Sequence, residues 1–397
     1  MQVKARTLIV GPGQQFYSVK KAIAAAQHGD TIIIKKGLYY INNAVITKSI
    51  TVLGENYPTL SGDKKYEIFT LSGTNITVKG LHFTNSGYSS MNDFAAIKIV
   101  DGTNIIVENN RITNAYFGIH LANTSHCIVR NNYFKGLTKF EQTTGNGIHL
   151  WKSANALIEK NEIHGHRDGI YFEFVTHSVV RKNLSEKNIR YGLHFMFSND
   201  DEYIGNTFKN NGAGVAVMYS KKVIMRNNMF FNNWGPSAYG LLLKEINDSH
   251  ILNNTFYKNT VGMQMEGANR IEVKQNIFKE NGWASKVQAN CSESNFLHNN
   301  FLSNTFDVGT NGSLVLNKFS NNYWDKYEGY DLNKDGFGDV AYHPVSMYSQ
   351  IIEENPNSLM LLHSFMVSLL DKAERAIPSL TSENLRDESP IMKALKL

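Results

Sequence analysis

The chain has 397 residues, of which 42% are hydrophobic and 19% charged. That is enough apolar material for a sizeable core, and it excludes disorder over most of the length. No apolar run reaches the roughly 18 to 20 residues that cross a bilayer, no short repeat of the collagen or coiled-coil kind is present, and a net charge of +5 from 40 basic and 35 acidic residues, without a basic cluster, speaks against a nucleic-acid surface.

The first residues, Met1-Gln2-Val3-Lys4-Ala5-Arg6, lack the apolar stretch of a signal peptide. On this ground the chain is either cytoplasmic or begins after a removed signal. Phe16 to Gln27 reads as an amphipathic helix with Ser18 as its N-cap. It is expected to lie as a lid on the first coil of a solenoid that starts at Asp30-Thr31-Ile32-Ile33-Ile34. Residues 1–45 are therefore read as cap and first coil.

Residues 46–330 are organised by a repeat. Asparagines recur at Asn110, Asn132, Asn161, Asn183, Asn206, Asn228, Asn254, Asn276, Asn300 and Asn322, mostly 22 to 24 residues apart. A second series, Gly118, Gly147, Gly169, Gly192, Gly214, Gly240 and Gly262, opens short segments in which the first and third residues after Gly are apolar, as in Ile148 and Leu150 or Leu193 and Phe195. A period of two marks strands. Two residues after the Asn stands Phe208, Phe230, Phe256 or Phe278 in four successive repeats. Short strands at this spacing fit an all-β fold, a right-handed parallel β-helix with one coil per repeat and coils about 4.8 Å apart. The Asn series is predicted to stack as a column of turns and the Phe series inside the core. The leucine-rich-repeat signature is missing. Cys127 and Cys291 lie about seven coils apart, too far for a disulfide, and read as small buried or half-buried thiols. Met263 and Met265 fall on inward positions.

The chemistry lies on the outward positions, two and four residues after each Gly. Down the column these are His120, His149, Tyr171, His194, Ala216, Leu242 and Gln264, and then Ala122, Trp151, Glu173, Met196, Met218, Lys244 and Glu266. An ordinary solvated face carries Lys, Glu, Thr and Ser; the middle of this one carries imidazoles, thioethers and aromatics. Two longer intervals, of 29 and 26 residues, insert Lys139-Phe140-Glu141-Gln142-Thr143-Thr144 before Gly147 and Trp234-Gly235-Pro236-Ser237 before Gly240. They are expected to wall the patch on either side.

His and Met together suit copper, above all Cu(I), and His149, His194, Met196 and Met218 are the candidate copper ligands, with Trp151, Tyr171 and Glu173 beside them. Aromatics with charged groups also suit sugar rings, which would make the chain a polyuronide lyase or epimerase using His166, Arg167 or Asp168 for proton transfer. A partner-binding surface without metal is the third reading. His166, Arg167 and Asp168, in the turn before Gly169, are otherwise expected to form a hydrogen-bonded corner under the patch.

Residues 331–345 form an Asp-rich loop. Asp331, Asn333, Asp335 and Asp339 alternate around Gly336 like the first half of a calcium loop, but Tyr342 stands where the bidentate Glu belongs. Calcium is a candidate there. Residues 346–397 are read as a helix from Ser346 to about Ala376, with Leu359, Leu362, Phe365, Met366, Leu369, Leu370 and Ala373 on one apolar face, and an extended polar tail with Pro378 and Pro390.

Several stretches are more specific than the repeat. They are Gly165-His166-Arg167-Asp168-Gly169-Ile170-Tyr171-Phe172-Glu173-Phe174, Tyr191-Gly192-Leu193-His194-Phe195-Met196-Phe197-Ser198, Val217-Met218-Tyr219-Ser220, the run from Asp331 to Asp339, His343-Pro344-Val345-Ser346, and Leu369-Leu370-Asp371-Lys372-Ala373-Glu374-Arg375. Through them the chain resembles the NosD family, the periplasmic maturation proteins of nitrous oxide reductase, over nearly its whole length. The repeat alone points only to the wider pectate-lyase-like β-helix group. The resemblance implies a β-helix exported to the periplasm, a binding and maturation protein rather than an enzyme. It implies partnership with the permease and ATPase of an ABC transporter, with a copper-chaperone lipoprotein and with nitrous oxide reductase, whose copper–sulfur centre it helps to supply. It also accounts for the missing signal as one already removed. Phe195 and Phe197 stand where relatives are expected to carry Tyr.

Overall fold

The computed structural model describes residues 5–89, 93–137, 141–312, 316–377 and 385–397. The chain divides into two compact units, Met1–Thr207 and Phe208–Leu397. Each is a stretch of parallel β-solenoid whose coils contribute one short strand to each of three parallel sheets.

In the first unit one sheet runs from Thr7–Val10 and Thr31–Ile34 through Ile106–Glu108, Ile128–Arg130, Leu157–Glu159 and Val179–Arg181. The expected first strand at Thr31 is therefore the second. Thr7–Val10 pairs with it residue for residue, an alternation too short to stand out from the sequence. The second sheet carries Arg111–Thr113, Tyr133–Lys135 and Glu162–His164. The third carries Ala95–Val100, Phe117–Ala122, Ile148–Trp151, Ile170–Glu173 and Tyr191–Met196, with the recurring glycines in register and Ala96 in the glycine position of the first. The cap helix spans Val19–Ala25, and Ser18 caps it by accepting from Lys21 N at 3.5 Å. It buries Val19, Ala22 and Ile23. Lys48 Nζ meets the carbonyls of Ala24 and Ala26 at its C-terminus, at 2.9 and 2.6 Å, where a cation favours the helix dipole.

The asparagine column forms as expected. Asn132 Oδ1 accepts from both the backbone N and Nδ2 of Asn110, at 3.0 and 3.1 Å, and Asn161, Asn183 and Asn206 continue the pattern. Each Nδ2 also donates to a carbonyl of the preceding coil, as Asn132 does to Val107 O at 2.9 Å. A buried amide is thereby satisfied at every turn. Residues just before the column, such as Asn109, Asn131, Lys160 and Lys182, adopt left-handed φ near 53°, which Asn tolerates best.

In the second unit the core is a column of rings. Phe230, Phe256, Phe278 and Phe301 stack with centroids 4.7 to 5.0 Å apart and planes within 7°, and Trp324 closes the stack on Phe301 at 4.0 Å. Met263 and Met265 are fully buried, and both cysteines are buried and free. The asparagine column departs from the predicted spacing by one residue. Asn299, not Asn300, takes the rung after Asn276, because Asn300 is turned to the C-terminal tail, exchanging hydrogen bonds with Leu395 N and O. A second column, Asn211, Asn233, Asn259, Asn281 and Asn304, runs beside it.

The C-terminal part also differs from expectation. The helix breaks into Met347–Glu354, a tighter turn at Pro356–Leu361 and Phe365–Ala376, with Ser346 and Ser364 as new N-caps. Pro356 cannot continue the first helix. Among the predicted apolar face, Phe365 is 82% exposed and Met366 and Leu369 are about half exposed. Val367 is the residue that buries, against Val261, Trp283, Phe306, Tyr348 and Ile352. The tail returns to the last coil: Asp387, fully buried, accepts from Asn321 N, Asn322 N, Asn322 Nδ2 and Trp324 Nε1 at 2.9 to 3.1 Å. It stands where the next asparagine of the column would be. Pro378 lies outside the described residues.

Candidate functional site

The third sheet of the first unit sets the outward row in register. Lys98 pairs with His120, His120 with His149, His149 with Tyr171 and Tyr171 with His194; alongside, Ala122, Trp151, Glu173 and Met196 follow one another. The residues between them, Ile148, Leu150, Ile170, Phe172, Leu193 and Phe195, are fully buried. The rings form a continuous stack: His120 to His149 at 4.7 Å, His149 to Tyr171 at 4.7 Å, and Tyr171 to His194 at 5.0 Å between centroids. Phe117 packs on the first two imidazoles and Tyr191 on the last.

The row is less open than expected. His120 and His194 are each only 5% exposed, and His149, Tyr171, Glu173, Met196 and Trp151 are half-buried. Large rings on a 4.8 Å ladder cover one another, and Tyr191, three residues before His194 on the same strand, adds to the cover. Burial pushes His120 and His194 down to about 4, and for His194 the Arg190 and Arg167 guanidiniums add to it. Burial, then His120 and Arg167, hold His149 well below its ordinary range. At neutral pH all three imidazoles are uncharged and keep a nitrogen lone pair, the form that binds metals.

Their nitrogens are poorly satisfied by the protein. His120 Nδ1 and both ring nitrogens of His194 are buried without a hydrogen-bond partner. The Asn146 side-chain Nδ2 lies 3.3 Å from His149 Nδ1; the amide donates and Nδ1 accepts, which puts the proton of the neutral ring on Nε2. The Tyr171 hydroxyl stands 3.5 Å from Glu173 Oε2 and 3.6 Å from Met196 Sδ. Burial, then Glu173, push its phenol up to about 12, so it stays protonated. Lys152 Nζ lies over the Trp151 ring at 4.4 Å.

The His166-Arg167-Asp168 corner lies in the same unit. His166 and Asp168 are fully buried. Asp168 accepts from Tyr191 N at 3.3 Å and faces Arg167 Nε at 3.5 Å, while burial raises its carboxyl. The His166 backbone N donates to Asn188 Oδ1, but its ring nitrogens have no partner, and burial pushes the ring down to about 4. The corner is thus hydrogen-bonded through its backbone and Asp168, not through the imidazole, which packs near Phe134.

Met218 lies in the second unit, half-buried at the end of Ala213–Met218, in register with Lys244. Of the first insertion, residues 138–140 lie outside the described part, and Glu141–Thr143 form a single tight turn. In the second insertion Trp234 is 61% exposed.

The family model described as "Periplasmic copper-binding protein (NosD)" matches residues 135–334, half of the chain and the stretch that holds His149, His194 and Met196. The chain belongs to the NosD family. A probable ABC transporter binding protein NosD of Pseudomonas aeruginosa is 28% identical over 89% of this chain and 86% of its own length. Its counterpart in Stutzerimonas stutzeri is 36% identical over 72 residues, 18% of this chain and 16% of that protein. Among solved structures, the A-module of mannuronan C-5 epimerase AlgE6 from Azotobacter vinelandii superposes with a TM-score of 0.64 at 14% identity, over 77% of this chain and 94% of that one. PfbA, a surface adhesin of Streptococcus pneumoniae, gives 0.61 at 14% identity, over 73% and 87%. At such identity an enzyme and an adhesin share only the β-helix scaffold with NosD.

No helix among the described residues of this NosD chain is long and apolar enough to cross a membrane. Nor do the described residues gather three His, Cys, Asp or Glu side chains into a metal cluster. In the Asp-rich loop the oxygens serve the loop itself: Asp331 accepts from Asp335 N and Gly336 N, Asn333 from Asp335 N, Asp335 from Phe337 N, and Asp339 from Leu332 N. His120 is the residue that the candidate ligand set omits although the glycine spacing places it in the row. Asn146, Arg190 and Tyr191, three or four residues before His149 and His194 on the same coils, complete the surroundings, and that short spacing is a local signal that the candidate set leaves unused.

Proposed function

We propose that this protein is a periplasmic copper-handling accessory protein, a binding protein rather than an enzyme. It would act beside the permease and ATPase of an ABC transporter and a copper-chaperone lipoprotein, in the maturation of the copper–sulfur centre of nitrous oxide reductase. One observation supports the reading above the others: buried, uncharged imidazoles with unpartnered nitrogens share a row with the Met196 thioether. Imidazole and thioether together favour Cu(I), and no carboxylate pair placed for acid–base catalysis lies on the row. The exposed Phe365, Met366 and Leu369 of the C-terminal helix offer an apolar face for docking on the transporter. Anaerobic Cu(I) titration against a chromophoric chelator tests the reading. The wild-type chain is expected to compete for Cu(I), and His194→Ala/Met196→Ala to weaken binding by more than about tenfold, with Met218→Ala measured separately. Unchanged affinity in the double variant removes the row from copper handling.

A further inference from the structure

We infer that the row contains two separate metal stations: the imidazoles of His120 and His149 form one, and His194 with the Met196 thioether forms the other. The inference rests on the copper reading above and deepens it. It comes from where Tyr171 sits. Adjacent rungs of a parallel ladder are about 4.8 Å apart, and His120 and His149 occupy adjacent rungs. Their rings lie 4.7 Å apart, tilted by 50°, so two nitrogens can converge on one ion. His149 and His194 are two rungs apart, roughly 10 Å along the ladder. The rung between belongs to Tyr171, whose ring contacts both imidazoles. An ion shared by His149 and His194 would have to displace that ring, which is held by contacts on both faces and by its hydroxyl at Glu173 and Met196.

His194 finds its second donor along its own strand instead. His194 and Met196 are alternate residues of Tyr191–Met196 and point to the same side. The Met196 sulfur is already directed into the row, 3.6 Å from the Tyr171 hydroxyl. Each station also contains a nearly buried imidazole with nitrogen left unpartnered: His120 Nδ1 in one, both His194 nitrogens in the other. Leaving such a group unmet costs about 1–3 kcal/mol, and a metal ion would meet it. Two-donor sets suit Cu(I), which accepts low coordination numbers, and they agree with the lack of any three-residue His, Cys, Asp or Glu cluster among the described residues. The stations differ in softness. The thioether adds a soft donor that selects Cu(I), and on that ground the first equivalent is assigned to the His194–Met196 station. The His120–His149 station then serves as a second position on the same track, one ring away.

Anaerobic Cu(I) titration of the full chain, with equivalents counted at saturation, decides between one site and two. The wild-type chain is expected to bind two equivalents. His120→Phe/His149→Phe keeps the ring stack and is expected to retain one, with the tighter affinity. His194→Phe/Met196→Leu is expected to retain one, with the weaker affinity. X-ray absorption at one equivalent is expected to show a sulfur neighbour to copper in the wild type, lost in Met196→Leu alone. A wild-type stoichiometry of one, abolished by either double variant, shows a single shared site and overturns the two-station arrangement while leaving copper binding intact. No Cu(I) uptake by the wild-type chain overturns the copper reading itself.

Discussion

The coils of the first unit carry two ladders with the same spacing and opposite chemistry. On one sheet Lys79, Glu108, Arg130, Glu159 and Arg181 follow one another rung by rung. Their charges alternate. Arg130 reaches Glu108 at 2.7 Å and Arg181 reaches Glu159 at 3.1 Å. Burial alone would raise the Glu159 carboxyl, but the Arg181 guanidinium outweighs it and holds it below its ordinary value. On another sheet of the same coils Lys98, His120, His149, Tyr171 and His194 follow one another, with ring nitrogens that the protein leaves unmet. The first ladder neutralises itself by ion pairs, although Arg181 Nε is left without a well-directed hydrogen bond. The second is packed but chemically incomplete. A solenoid makes neighbours of any residues one repeat apart, and the residue types on each face decide whether the row is structural or receptive.

Four measurements break or sharpen this contrast. Both ladders stand on the asparagine column, so Asn161→Ala is expected to have the largest effect. It removes two bonds accepted from Asn132 and two donated to Val129 O and Asn183 Oδ1, at about 4 kcal/mol of unfolding free energy, read by urea denaturation. A loss below about 1 kcal/mol would separate the column from the stability of the faces above it. The next concerns pH. His166 has a folded pKa of about 4, below the ordinary 6.5. The unfolded chain therefore takes up its proton first as pH falls. Stability present above pH 6.5 should decline toward pH 4, by up to about 3 kcal/mol for this residue. His166→Leu should flatten that decline, whereas an unchanged slope would show that the ring is not held neutral by the fold. In the second unit, Asp387→Ala leaves Trp324 Nε1 and one of the two N–H groups of Asn322 Nδ2 unmet at the end of the column. It is expected to cost about 2 kcal/mol, less than a break in the middle because the column continues on only one side of Asp387; a larger loss than Asn161→Ala would reverse that order. The smallest effect is expected at the charged ladder. Glu159→Gln should cost about 1 kcal/mol or less and leave Cu(I) affinity unchanged; a change in affinity would show that the two faces are coupled.

Much of this was legible beforehand. The Gly and Asn spacings gave the parallel coils, the asparagine column, the phenylalanine stack and the membership of the row, because each repeat position maps to one place on a coil. Ser18 as a cap followed from its hydroxyl preceding the helix. Other features were hidden for identifiable reasons. Asn299 and Asn300 are adjacent and chemically identical, and only the tail's bonds to Asn300 show which one joins the column. The apolar residues of the C-terminal helix could be placed on a face, but nothing in their order said that Val367 would turn inward and Phe365 outward. Asp387 finds its partners 65 and 63 residues away, at Asn322 and Trp324, with no local signal.

The amino-acid order by itself determined the coil and which side chains share its outer row, since backbone pairing at a fixed repeat leaves no other register. Folding decided how covered that row is and where it is divided. The rings bury one another only once they are stacked, and Tyr171 parts the histidines only because a parallel ladder sets each coil directly against the next.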